Sequence, residues 1–428
     1  MSGVNGRLYV KLGRRFGWLW VAYAVSALGT YLAFDAFSVI AVLALHAGPA
    51  EVALLAATGP AVGAVAAIPL GPWVEFRSKR PVMAAMDLVR CAALLTIPAA
   101  YALGGLGLGQ LLLVSVIVAA ADITFGAASG AFLKTLVPAD RLLTANSRFE
   151  STNWTALVLG PPLGGAAIGL FGPVTTVMAN AVSFLLSALG IRAVGGGEPR
   201  PERTGAARLR AADLLDGWRH ILTSPALRPL FFNNLAANAL IMVAMPPLAV
   251  LMLGRLGFAP WQYGLAFAVP CLGGLLGSRI APPLVARYGQ RRVLRAAATL
   301  RAVWPLGLAF VQPGLPGLVL VMALEFGVIT CSGVYSPVYA TRRLECTPND
   351  RVARTLSAWS ITGKATTAAL TALWGPLASL TGPRAAIALA GVLLLATPPL
   401  LLRESREATA PLSPASVPPS PAGPPPSR

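Results

Sequence analysis

Hydrophobic positions along the chain gather into long apolar stretches separated by short polar or glycine-containing breaks. A helix needs about 20 mostly apolar residues to cross a bilayer. Twelve stretches reach or approach that length: 18–45, 52–70, 82–103, 106–133, 143–170, 174–194, 230–253, 263–285, 293–311, 315–340, 356–380 and 385–402. We number them spans 1 to 12. The first is too long for a signal-peptide core and lacks a convincing cleavage site, so it stays a span. Breaks at Gly104-Gly105, Gly172-Pro173, Gln312-Pro313-Gly314 and Gly382-Pro383 are so short that the helices they join must be antiparallel neighbours.

Basic residues near span ends favour the cytoplasm. With the N-terminus inside, Arg7, Lys11, Arg14, Arg15, Arg77, Lys79, Arg80, Lys134, Arg141 and Arg148 fall on the inner side. So do the arginines of the middle loop and those at Arg287–Arg295 and Arg342–Arg354, leaving Arg255 and Arg384 outside. This alternation predicts an even span count and both termini in the cytoplasm. Residues 195–228 form a linker between two sets of six spans, and 213–223 within it predicts a short interfacial helix bearing Leu214, Leu215, Trp218, Ile221 and Leu222. Residues 403–428, rich in Pro, Ser and Ala, predict a disordered cytoplasmic tail.

Composition narrows the class. Of 428 residues, 56% are hydrophobic and 12% charged, against roughly a quarter charged in a soluble protein. The mean hydropathy is +0.68. The formal charge of +18 sits in short clusters between spans, without the aromatic interleaving of a nucleic-acid surface, so it reads as topology and no nucleic-acid partner is expected. The four cysteines have no CxxC spacing, and neither a metal site nor a disulfide framework is suggested. No phosphate-binding loop, HExxH or Gly-x-Ser-x-Gly motif is present. Direct ATP drive and an enzyme reading both lose support, and no cofactor is expected.

The two sets of spans echo one another. Pro138-Ala139-Asp140-Arg141 recurs as Pro348-Asn349-Asp350-Arg351, an offset of 210. At an offset of 211, Arg80 matches Arg291, Val82 matches Val293, and the intramembrane Arg90 matches Arg301. Two parallel halves related by an axis along the membrane normal describe the major-facilitator arrangement, with a substrate cleft between them. The expected fold is therefore an all-α polytopic membrane protein of 12 transmembrane helices, arranged as two pseudo-symmetric six-helix bundles at 1–194 and 229–402.

Local motifs carry the same resemblance. Gly71-Pro72-Trp73-Val74-Glu75-Phe76-Arg77-Ser78-Lys79-Arg80 resembles the major facilitator loop motif G-x-x-x-D-x-x-G-R-R, with Glu75 for the usual Asp. Asp87-Leu88-Val89-Arg90, Val137 to Leu142, Ala145-Asn146 and Gly160-Pro161-x-x-Gly164-Gly165 are similar to the branch containing macrolide-efflux proteins and the enterobactin exporter. The likeness covers nearly the whole chain except the tail, with most of its motifs in the first half. Two departures stand out. Gly29-Thr30 occupies the place of a common Gly-Asp pair in span 1, and Ala286 stands where the second-half loop would carry its acid.

Candidate residues follow from the cost of charge in lipid. Glu75, with Gly71, Arg77, Lys79 and Arg80, is expected to gate one side, because an acid at a span end contributes nothing to orientation. Asp122 in span 4, a helix the resemblance places on the central cavity with spans 1, 7 and 10, is the first candidate for proton coupling. Glu325 in span 10 is its counterpart, and Asp35 in the outer half of span 1 is a third. Asp87 and Arg90, three apart, predict a structural ion pair. Arg301 has no acid at that spacing, and Lys364 in span 11 has no local partner. Asn233, Asn234, Asn238, Tyr335, Tyr339 and Asn153 are candidate cavity-lining groups, and Gly160, Pro161, Gly164 and Gly165 are candidates for close helix packing.

These readings together predict a monomeric exporter of a small amphipathic or cationic compound, embedded in a bacterial cytoplasmic membrane and driven by protons. Nutrient import on the same fold, or a non-transporting scaffold or receptor, are the alternatives.

Overall fold

A computed structural model of the chain describes residues 12–33, 36–46, 55, 61–63, 65, 68–195 and 211–402. Asp35, most of span 2 and the segment 403–428 lie outside the described residues.

With no water available in lipid, each backbone N–H and C=O must be satisfied within its own segment, which leaves the helix as the local solution for these apolar stretches. Among the described residues nine helices are long and apolar enough to cross a membrane: Lys79–Ala102, Leu108–Leu136, Ala139–Phe171, Pro173–Ala193, Leu227–Arg255, Gln262–Tyr288, Gln290–Phe310, Leu315–Glu345 and Pro383–Leu401. They correspond to spans 3 to 10 and span 12. Span 1 contributes Arg14–Leu32 and Ala36–Leu45, and span 11 is the helix Val352–Thr381, made less apolar by Arg354 and Lys364.

The repeat read from the sequence is visible in the turns. Gly172 (φ 82°) and Gly382 (φ 88°) each end one span and begin the next, with a proline at the first helical position, Pro173 or Pro383. Only glycine takes this positive φ without strain, while proline is pre-shaped for a helix start.

In the first half, span 3 packs on spans 4 and 6, and span 1 on spans 5 and 6. In the second half, span 10 packs on spans 8 and 9, and span 7 on spans 11 and 12. Gly160 and Gly164 make the contact of span 5 with span 1. A Cβ at Gly160 would stand 2.3 Å from Tyr31 Cβ, and one at Gly164 would stand 2.1 Å from the Leu32 carbonyl oxygen. Gly165 has no such neighbour, and the helix Leu142–Phe171 runs on through Pro161 and Pro162. The packing role thus belongs to two of the four residues in the motif.

The segment 213–223 lies in a helix, Ala211–Thr223, whose environment differs from expectation. It docks on span 11: Trp218 Nε1 donates to Thr362 Oγ1 at 2.8 Å, Ile221 is fully buried, and a Cβ at Gly217 would meet the Arg354 carbonyl oxygen at 2.5 Å. Leu215 and Leu222 are exposed. An indole with a polar partner on a neighbouring helix is better satisfied there than on a lipid face.

Candidate transport site

The halves join on the side that carries the basic loops. The short helix Leu70–Glu75 brings Glu75 against the start of span 11, where Glu75 Oε2 accepts the Arg354 backbone N–H at 3.2 Å. Arg354 Nη1 in turn donates to Asp216 of the linker helix at 3.1 Å. Lys79 is buried and donates to the carbonyl oxygens of Val74, Glu75 and Arg77 at 2.8, 2.7 and 2.9 Å, which ties the loop into a compact knot. Gly71 lets this knot reach span 11, since a Cβ there would lie 2.9 Å from Ser357 Cβ. Arg77 stays exposed, its guanidinium 4.8 Å from the Trp73 ring centre, and Arg80 is half-buried. Burial pushes the Glu75 carboxyl up to about 7, against the pull of Lys79 and the Arg354 N–H.

Further links climb from this face. Lys134 donates to the Thr347 carbonyl oxygen, Asn146 Nδ2 to Thr341 Oγ1 at 2.8 Å, and Ser151 and Ser278 share a hydrogen bond of 2.7 Å. The last link is ionic and lies at mid-depth. Asp122 Oδ2 of span 4 faces Lys364 Nζ of span 11 at 3.5 Å, while its Oδ1 faces Arg90 Nη1 at 3.4 Å. The Asp122 side chain is 58% exposed, so this link stands in an open interior rather than a packed core. Among the described residues no hydrogen bond or ion pair joins the halves nearer the glycine-turn side.

Arg90 is paired with Asp87 and sandwiched by the rings of Phe125 and Phe184, 4.7 and 4.2 Å from its guanidinium carbon. Arg301 meets a different solution: it lies 3.6 Å from the Tyr335 ring centre and donates to Asn233 Oδ1 at 3.2 Å. Tyr335 donates to the same oxygen, and Asn233 gives its own N–H to the Thr397 carbonyl oxygen. This corrects the expectation that Asn233, Tyr335 and Tyr339 line a cavity. All three are buried, because a membrane-embedded arginine without an acid needs ring faces and neutral dipoles around it. Asn234 accepts from Trp359 at 3.4 Å, Asn153 accepts from the Tyr31 hydroxyl at 3.1 Å, and Asn238 is exposed. Glu325 is buried in span 10, and among the described residues it has no ion pair.

A model of the family described as Major Facilitator Superfamily matches residues 19–365 and 230–425. The chain belongs to the Major Facilitator Superfamily. It is 28% identical over 308 residues to the multidrug efflux pump Tap of Mycolicibacterium fortuitum, covering 69% of this chain and 72% of that one. To Tap of Mycobacterium tuberculosis (strain ATCC 25618 / H37Rv) it is 26% identical over 283 residues, 63% of this chain and 64% of the relative. Its fold is shared with the crystal structure of a bacterial homologue of the iron transporter ferroportin in the outward-facing state (TM-score 0.76, 18% identity, 92% of this chain and 100% of that one). It is shared too with the facilitator FucP in the outward conformation (TM-score 0.71, 13% identity, 91% and 99%).

This facilitator is therefore a multi-pass membrane transporter of small molecules and not an enzyme. Sequence reading overlooked one of its interior acids. Glu150 lies on span 5 about two turns from the helix start and accepts Trp154 Nε1 at 3.0 Å. A glutamate so close to a run containing Arg141 and Arg148 resembles an inner-loop charge. The signal that separates it is Trp154 one turn on, with Asn153 beside it.

Proposed function

We propose that the chain exports amphipathic or cationic small compounds from the cytoplasm by alternating access, driven by proton entry. The observation that carries this reading is the mid-membrane ionic link from Asp122 to Lys364, which joins the two halves through a partly exposed carboxylate. Protonating Asp122 removes the charge that holds Lys364 and Arg90 to it, and the halves lose their innermost connection. The likeness to pumps named for multidrug efflux supports the export direction. The residue ranges 1–194 and 229–402 act as the two moving bodies, joined by the linker 195–228, with 403–428 as a cytoplasmic tail. In this reading the closed face and both termini face the cytoplasm of a bacterium, an orientation the basic loops support, and the transporter works as a monomer.

Glu75 and its loop are the gate of the cytoplasmic face in this scheme, and Glu325 and Asp35 are secondary coupling candidates. Everted membrane vesicles test the proposal. Imposing an inside-acid gradient should drive uptake of a fluorescent cationic compound such as ethidium, and Asp122→Asn should abolish the dependence on the gradient. Gradient-driven uptake that survives both Asp122→Asn and Glu325→Gln would remove these residues from coupling. Accumulation in right-side-out vesicles instead would reverse the direction.

A further inference from the structure

The interior carboxylates are unequally occupied. Asp87 is taken by Arg90, and Asp122 by Arg90 and Lys364. Glu150, like Glu325, has no basic side chain paired with it among the described residues, and its hydrogen bond comes from the neutral donor Trp154. It also sits on the seam. Span 5 packs against spans 8 and 10 of the other half, and the Ser151–Ser278 bond crosses to span 8 one residue away.

Tyr23 and Tyr31 of span 1 pack on the same stretch of span 5: the Tyr23 ring centre lies 4.8 Å from that of Phe149, and the Tyr31 hydroxyl donates to Asn153 Oδ1 at 3.1 Å. The Trp154 ring covers Gly274 of span 8 so closely that a Cβ there would stand 2.2 Å from a ring atom. Unlike the buried Asn233 and Tyr335, Glu150, Tyr23, Tyr31, Asn153, Trp154 and Ser336 are half-buried.

The chemistry selects a ligand class. A single carboxylate among rings lacks the several hard oxygens that an inorganic cation demands. A carboxylate beside tyrosine and tryptophan faces suits a protonated or quaternary organic nitrogen carried on a flat apolar body, through ion pairing and cation–π attraction in a low-dielectric setting. We propose that Glu150, framed by Tyr23, Tyr31 and Trp154, binds the cationic nitrogen of the transported compound; this rests on the export reading above and assigns its cargo-binding group. Because Gly274 belongs to the other half, parting the halves on the cytoplasmic side uncovers the Trp154 ring and opens Glu150 to a cation entering from the cytoplasm, which links loading to opening.

The full chain, purified in detergent, tests this by equilibrium binding of tetraphenylphosphonium, alongside its export by everted vesicles. Glu150→Gln should raise Kd at least tenfold, and Trp154→Phe, which keeps the ring and removes the N–H donor, about threefold. Glu150→Asp should fall between wild type and the Gln variant, and with Trp154→Phe it decides the matter if the Gln protein fails to fold. Wild-type export with binding within twofold of wild type in these variants overturns the assignment while leaving the export reading intact. So does a Gln variant that binds normally but no longer exports, which would make Glu150 a coupling group. If wild type neither binds nor exports tetraphenylphosphonium or ethidium, the cationic-cargo reading fails, and this assignment with it.

Discussion

Arg90 and Arg301 occupy matching places in the two halves, 211 residues apart, and are buried by opposite means. Arg90 has an acid three residues before it and a second on span 4. At the place matching Asp87, the second half has Ala298, and Arg301 is held by a tyrosine ring, an asparagine oxygen and no carboxylate among the described residues. The difference extends to the loops, where Glu75 is matched by Ala286. At these positions the first half carries ionisable acids and the second a neutral scaffold. The comparison teaches that a guanidinium can be tolerated in a membrane protein either by charge or by quadrupole and dipole. Only the first option can be switched by a proton.

Removing the charge solution should have the largest effect. Asp87→Asn leaves Arg90 buried between two rings with the long contact to Asp122 as its one remaining acid partner among the described residues, and should destabilise the protein by about 3 kcal/mol in thermal or denaturant unfolding in detergent. Replacing both Asp87 and Arg90 by apolar residues should recover much of that loss, since an unpaired buried charge is costlier than none. In the second half, Tyr335→Leu removes both the ring face and the hydroxyl and should cost about 2 kcal/mol, whereas Tyr335→Phe keeps the ring and should cost about 1 kcal/mol. Equal losses for the two would show that the ring contributes nothing to holding Arg301.

The loop pair sharpens the contrast through pH. Glu75 lies outside the spans, and its packed seam favours the neutral carboxyl, with a pKa raised from 4.5 to about 7. The seam is thus most stable below the ordinary carboxylate range and loses stability as pH rises through about 7, levelling off above it. Labelling a cysteine placed at Ser357 with a membrane-impermeant maleimide should quicken over that interval, and Glu75→Gln should leave the labelling slow and flat with pH. A rate that falls as pH rises would reverse the sign of the argument. The smallest effect is expected from giving the second half the missing acid. Ala298→Asp should change stability by no more than about 1 kcal/mol, because ion pairing with Arg301 offsets the desolvation of a new charge.

Much of the architecture was legible because lipid imposes a length and a composition on any helix that crosses it. The spans, the short glycine-proline turns and the paired halves could be read in this way, and Gly172 and Gly382 show the repeat again in their backbone angles. The interior was harder to read. Asp87 and Arg90 were visible as a pair because their spacing on one helix brings them together, whereas Lys364 and Asp122, 242 residues apart, meet only across the two halves. Asn233 and Tyr335 looked like cavity groups because sequence cannot tell a polar residue facing a cleft from one surrounding a buried arginine. Glu150 was passed over for the related reason that its depth depends on where span 5 begins.

By itself the sequence determined that the chain lives in a membrane, that its halves repeat, and that Asp87, Arg90, Asp122, Arg301, Glu325 and Lys364 fall within spans. These follow from hydrophobic transfer and from local helix geometry, both of which act over a few turns of one segment. The tertiary structure alone decided which of those charges neutralise each other and that Glu150, at the seam, has no cationic partner among the described residues. Ion pairing depends on distances of a few ångströms between helices far apart in the chain, and no local pattern encodes them.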